Sequence, residues 1–138
     1  MTTKELIKKH EGIKLYPYKD TAGKLTIGVG HNLSDDGISL HIAETLLTDD
    51  IKIAINGLRE IFKDWDDIPS TAQMALTDMM FNLGYNRFNN FKKMIAAIKI
   101  CNWKEAAKEA ENSLWCKQLP TRCKYDANML RTCNGTTK

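Results

Sequence analysis

Long apolar runs are missing from this chain of 138 residues. None approaches the ~20 consecutive apolar residues that a bilayer-spanning helix needs, which excludes such a helix. The opening segment from Met1 to His10 also lacks the apolar stretch of a secretory signal. Synthesis in a cytoplasm and no stable membrane association are therefore expected. Charge of one sign is scarce as well. Lys and Arg number 20 against 17 Asp and Glu, and the resulting +3 falls far short of a dedicated nucleic-acid binder, so no nucleic-acid partner is expected. Histidines are few and scattered, at His10, His31 and His41, and no CxxC pair occurs among Cys101, Cys116, Cys123 and Cys133. Neither pattern supplies a metal site, and no cofactor is implied. Given a cytoplasmic origin, the thiols are expected to be reduced and packed as small apolar side chains. If oxidised they could pair in three ways, among which spacing does not choose. There is no internal repeat, low-complexity tract or linker.

What is present suits one domain, with two lobes sharing a helix. Hydrophobic residues make up 43% and charged residues 27%, the balance of a chain that can bury a core. Thr2 or Thr3 opens a short helix as N-cap, with Leu6 and Ile7 on its buried side, and Gly12 ends it. Two β-rich runs, from Lys14 to Tyr18 and from Leu25 to Gly30, flank the turn Asp20-Thr21-Ala22-Gly23 and read as a hairpin. Gly28 and Gly30 mark places where the backbone bends or something approaches closely. From Ser39 the period changes to that of a helix. Leu40, Ala43, Leu47, Ile51, Ala54, Leu58 and Ile61 step by three or four along one face. Asp66 to Pro69 breaks this helix, and Ser70 is placed to cap the next, whose Ala72, Ala75, Leu76, Met79, Met80 and Leu83 suit the centre of a bundle. Further helices are expected from Phe88 to Ile100, Trp103 to Asn112 and Pro120 to Thr132, the last with proline as its first residue. The polar tail from Asn134 to Lys138 is expected to fray. The fold class is α+β and predominantly helical. It has a β-bearing lobe over about 12–38, a connecting helix over about 39–63 and a helical lobe over about 64–138, on which helix 2–11 packs.

Three residues near the start can do chemistry. Glu11 falls in the last turn of the first helix, where the dipole makes a carboxylate unfavourable by roughly 0.3–1 kcal/mol, a setting that favours retention of the proton a general acid needs. Asp20 also suits a plain turn former whose side chain bonds the backbone, and Thr26 a plain strand residue. Taken together, a helix end running straight into a hairpin brings two carboxyls and a hydroxyl toward one wall. Two carboxyls and a held water are the standard equipment for hydrolysing a glycosidic bond.

The run His10-Glu11-Gly12, Tyr18-Lys19-Asp20, Gly23 and Leu25-Thr26-Ile27-Gly28-Val29-Gly30-His31-Asn32-Leu33 resembles the catalytic segment of the phage-type lysozymes, glycoside hydrolase family 24. Downstream, Met79-Met80-Phe81-Asn82-Leu83-Gly84, Trp103-Lys104-Glu105-Ala106-Ala107 and Trp115-Cys116-Lys117-Gln118-Leu119-Pro120-Thr121-Arg122 are similar to the family's central and C-terminal helices. The resemblance implies a lysozyme-like fold and a monomeric muramidase that hydrolyses the β-1,4 bond between N-acetylmuramic acid and N-acetylglucosamine in the glycan strands of peptidoglycan. Glu11 would protonate the leaving oxygen. Asp20 would stabilise positive charge on the sugar or orient a water, and Thr26 would position that water for inversion. Arg122 matches an arginine that approaches the catalytic Glu in the family. His31 matches a histidine that pairs with an acid on the long helix, here Asp50. Asn32, Leu33, Phe81, Met94 and Glu109, with His31 and Arg122, fall among the substrate-binding positions. Met94 and Glu109 depart there from the family's small hydroxyl and neutral polar residues. The stretch between His31 and Asp50 is markedly shorter than in the T-even members, so residues 34–39 are expected to form only a loop beside a more open cleft. An endolysin of this kind would wait in the host bacterial cytoplasm and reach the wall in the periplasm once the inner membrane is breached. Two rivals are a catalytically silent peptidoglycan-binding module and a lytic transglycosylase. The intact Glu11, Asp20 and Thr26 weigh against the first, and Asp20 and Thr26 against the second, since such enzymes commonly manage with one acid.

Overall fold

The structure, a computed structural model, describes residues 1–133; the expected fraying of 134–138 falls outside the described residues. The chain divides into two compact units, Met1–Leu46 and Leu47–Lys138.

The first unit opens with helix α1, Thr3–Glu11. Thr2 is its N-cap, and a capping box forms: the Thr2 hydroxyl accepts from Glu5 N at 3.1 Å and Glu5 Oε2 accepts from Thr2 N at 2.7 Å, satisfying two otherwise orphaned donors. Gly12, at φ +73°, closes the helix with its N–H on the Lys8 carbonyl. The helix buries no residue, and Leu6 and Ile7, expected on a buried side, are exposed. Strands β1 (Lys14–Lys19), β2 (Leu25–Gly28) and β3 (His31–Asn32) form an antiparallel sheet in that order. Tyr18 faces Thr26 across β1 and β2, and Thr26 faces Asn32 across β2 and β3. The β1 register is irregular between Lys14 and Tyr18, the stretch that holds Pro17, which has no N–H to give a ladder and is tolerated because β1 is an edge strand. The third strand goes beyond the expected hairpin; at two residues it carries no alternation to read. Residues 33–36 are also more than a loop. They form α2, Leu33–Asp36, capped by the Asn32 side chain.

Helix α3 runs from Leu40 to Ile61. Of its expected apolar stripe only Ala54, Leu58 and Ile61 are buried, while Leu40 and Leu47 are exposed. After a 3₁₀ turn at Trp65–Asp67, α4 (Ser70–Leu83) follows with Pro69 rather than Ser70 at the N-cap and no side-chain cap. The region expected as one helix from Phe88 to Ile100 is two, α5 (Tyr85–Asn89) and α6 (Lys92–Lys99). The break spans Asn90 and Phe91; the N–H of Asn90 turns back to Arg87 and Phe88 carbonyls. Helices α7 (Trp103–Glu111), α8 (Leu114–Gln118) and α9 (Pro120–Thr132) complete the unit.

Its core gathers on α4, where Ala72, Ala75, Leu76, Met79, Met80 and Leu83 are all buried, as the apolar stretch requires. Phe62, Phe88, Leu58 and Leu130 are among the fully buried side chains around it, each worth roughly 1.5–3 kcal/mol of burial. Phe88 meets Phe62 edge-on, with ring centroids 6.5 Å apart. Cys116 of α8 and Cys123 of α9 form a disulfide, with Cα atoms 5.1 Å apart. This overturns the expectation of reduced thiols for that pair: Leu119 both ends α8 and precedes α9, and the sharp reversal brings the two cysteines within bonding reach. Cys101 is an exposed thiol. The architecture is α+β and predominantly helical, with the sheet confined to the first unit.

Candidate active site

Glu11 stands at the C-terminal end of α1, where the capping Gly12 turns the chain into β1. Its side chain lies against Gly30. A Cβ built on Gly30 would stand 3.0 Å from Glu11 Cδ and 3.3 Å from Cγ, with Oε2 nearer still. Gly30 belongs to the short connection between β2 and β3, at φ +65°. The close approach anticipated at Gly30 is therefore made by the carboxylate of Glu11. Among the described residues nothing lies within 4 Å of the corresponding point on Gly28, where φ of +70° marks the bend.

Asp20 does form the turn its neighbours suggest. Its Oδ1 accepts from Ala22 N at 2.9 Å and Lys24 N at 2.8 Å, and its backbone carbonyl accepts from Gly23 N. Thr26, on the central strand, is 3% exposed and its hydroxyl donates to the Lys24 carbonyl at 3.0 Å. One residue thus holds both: Lys24 gives its N–H to Asp20 and its carbonyl to Thr26. Lys24 is in turn tied down by its Nζ on Asp35 at 3.1 Å. Reading the sequence does not single it out, because its main-chain atoms do the holding. Glu11, Asp20 and Thr26 all belong to the first unit, the acid seated on the turn that follows the strand of Thr26.

The neighbouring expected binding residues are locally engaged. Asn32 donates from Nδ2 to Asp35 Oδ2 at 2.9 Å and accepts from Asp35 N at 3.1 Å, so its amide caps α2, and Leu33 is the half-buried first residue of that helix. The Nε2 of His31 lies 2.5 Å from the Gly37 carbonyl. Its expected partner, Asp50, lies in the second unit.

In the second unit the expected residues fall into separate hollows. Met94 and Glu109 line one cavity of about 480 Å³, with Trp115, Arg87 and Lys93. Met94 is 1% exposed and belongs to the core. Phe81 lines another hollow, of about 770 Å³, with Trp65, Ile55 and Met129. Arg122 shares it, with its side chain half-buried. Its Nε donates to Asp78 Oδ2 at 2.9 Å and its Nη2 to Asp78 Oδ1 at 2.7 Å, a bidentate fork that is stronger than a single contact. Arg122 holds the Asp78 carboxyl below its usual range, and the pair raises the Arg122 pKa in turn.

Beside them is Asp126, 2% exposed. Burial, then its hydrogen bond to Asp78 and that carboxylate's charge, push it up to about 8, against the opposing pull of Arg122. Asp78 and Asp126 were not singled out from the sequence. The only available signal was the i, i+4 spacing of Arg122 and Asp126 on one helix, which is common on solvated faces. Among the described residues no group of three or more His, Cys, Asp or Glu comes together as a metal site.

Comparison with known proteins gives a consistent family. The Phage lysozyme family model matches residues 8–124. The chain is 30% identical to Probable T4-type lysozyme 2 of Dictyostelium discoideum over 98% of this chain and 95% of that protein. It is 25% identical to the Pre-baseplate central spike protein Gp5 of Enterobacteria phage T4, over 97% of this chain but 28% of that larger protein. An Endolysin of Acyrthosiphon pisum secondary endosymbiont phage 1 is 35% identical over 60% of this chain and 58% of its own.

Proposed function

The chain belongs to the phage lysozyme family and is a glycoside hydrolase of peptidoglycan, and from that premise we propose that it cleaves the β-1,4 bond between N-acetylmuramic acid and N-acetylglucosamine with inversion. Glu11 donates a proton to the leaving oxygen. Asp20 has one oxygen, Oδ1, fixed by two backbone N–H groups, so its negative charge is held in place to stabilise the cationic sugar or orient a water. The Thr26 hydroxyl donates to the Lys24 carbonyl, which leaves its oxygen as the acceptor for a water attacking the opposite face. His31, Asn32, Leu33, Phe81, Met94, Glu109 and Arg122 contribute to binding the glycan.

The observation that carries this reading is the seat of Glu11 on Gly30. A carboxyl at a helix terminus is pinned to the turn of the same sheet that carries Thr26 and follows Asp20. The protein acts as a monomer, without nucleic acid or a stable membrane association, and among the described residues no helix is long and apolar enough to cross a membrane. It waits in a host bacterial cytoplasm and lyses the host once the inner membrane is breached and the wall becomes accessible. Product analysis tests the reading: purified peptidoglycan is digested and the new ends are identified by mass spectrometry and by the anomeric proton signals at early times. Reducing N-acetylmuramic acid ends, initially of inverted anomeric form, are expected, and Glu11→Gln releases none, since an amide cannot supply the proton. An anhydro sugar identifies a transglycosylase instead, and wall binding without new ends identifies a silent module.

A further inference from the structure

Two acids share one arginine in the second unit. Arg122 and Asp126 stand one turn apart on α9, so they project from the same face, across from Asp78 on α4. Both Asp78 oxygens accept from the Arg122 guanidinium, which marks Asp78 as the anion. Asp126 lines the same two hollows as Asp78 and Arg122, close enough for its carboxyl to act on that of Asp78, and among the described residues its buried Oδ2 has no hydrogen-bond partner. Two carboxylates cannot hydrogen bond to each other; one must carry a proton. With Asp78 fixed as the anion by Arg122, that proton belongs to Asp126, the buried acid that, among the described residues, no cation holds.

We propose that Asp126 is a positioning residue of this enzyme: as a protonated acid it donates to Asp78 and so keeps the Asp78–Arg122 fork in one orientation for use on the bound glycan. The proposal rests on the reading above in which Arg122 serves the glycosidase. The surroundings supply the conditions. The cavity beside Asp126 has an apolar wall of Trp65, Ile55 and Met129, which disfavours a second anion there. The charged or titratable groups that share its two cavities are Asp78 from α4 and Arg122 and Tyr125 from α9. The α3 residues on that wall, Leu47, Ile51 and Ile55, carry no charge. The Asp126 pKa, raised to about 8 chiefly by burial, agrees with a proton retained at neutral pH. When that proton leaves, no donor remains between the two acids, and a second negative charge stands beside the guanidinium.

The test uses the whole chain and two readouts. Carbon-detected NMR titration of the carboxyl groups is expected to show Asp126 inflecting near pH 8. The rate of peptidoglycan cleavage is expected to carry an alkaline limb with that midpoint. Asp126→Asn, which keeps an uncharged donor, loses this limb and retains catalysis, while Asp126→Leu, which has no donor, lowers kcat/KM about tenfold, chiefly through KM, since Arg122 acts by binding the glycan. The inference is overturned if the Asp126 carboxyl titrates in the ordinary acid range, if Asp126→Asn keeps the alkaline limb, or if Asp126→Leu turns over like the unaltered protein. Should Asp126→Leu fail to fold, the titration and Asp126→Asn still decide. Unaltered protein that releases no reducing ends fails the glycosidase reading and the positioning role together; an early Asp126 titration with normal cleavage fails the positioning role alone.

Discussion

Position 30 has no room for a side chain. A Cβ there would press on the Glu11 carboxyl, and φ of +65° is a conformation that costs an L residue roughly 1–2 kcal/mol. Gly30→Ala therefore acts twice: it strains the β2–β3 turn and displaces the acid. A misplacement of about 1 Å can cost some hundredfold in rate. Gly30→Ala is expected to lose at least that much peptidoglycan cleavage while lowering Tm by only a few degrees, measured by release of reducing ends and by circular dichroism. Cleavage within threefold of the unaltered protein would mean that the Glu11 seat on Gly30 has no catalytic consequence. A glycine pair in a β run was legible as a mark of bending or close approach. Which of the two applied at each glycine was not, because Gly28 and Gly30 read alike and only the folded chain brings Glu11 to one of them. Lys24 was invisible for a related reason: it holds Asp20 and Thr26 through main-chain atoms, which every residue has.

Among the elements, those with strong periodicity or clear punctuation were legible. Helix α9 starts at Pro120 and ends at Thr132 as expected, since proline at the first position fixes the start. Short elements were not: β3 and α2 are too brief to show a period, and α8 hides in a segment whose five residues make barely more than one turn. The disulfide depends on that hidden element. Cys116 and Cys123 lie seven residues apart, a spacing that no motif marks, and they meet only because Leu119 joins two helices without an intervening loop. Closing so short a segment contributes about 2–3 kcal/mol by the chain-entropy argument. Reducing agent is expected to lower Tm by about 10 °C, whereas the Cys116→Ser, Cys123→Ser double variant melts at the reduced temperature and ignores reductant. An unaltered protein whose melting is the same with and without reductant would show that the crosslink contributes nothing.

For the molecule as a whole, a near-balanced charge of +3 gives little global self-repulsion, so its response to pH turns on groups whose ionisation differs between folded and unfolded chains. Asp126 and Asp78 pull in opposite directions. The unfolded chain ionises Asp126 near its ordinary value of 3.8, while the folded chain keeps that proton up to about 8. Between these limits the folded state binds more protons, so stability from this residue is complete below pH 4, declines as pH rises through the window, and levels off above 8. Asp78 is held low by Arg122; its contribution is present above pH 4 and lost as pH falls below it. The two together predict a maximum on the acid side of neutrality. Asp126→Asn removes the falling limb without touching the rising one, so its Tm is expected to exceed that of the unaltered protein by an amount that grows from pH 4 to pH 8 and then stays constant. Melting curves at half-unit pH steps follow this difference directly. A difference that is flat across the window, or that shrinks toward pH 8, would mean that Asp126 enters the folded state already ionised, with both carboxylates compensated by a single guanidinium.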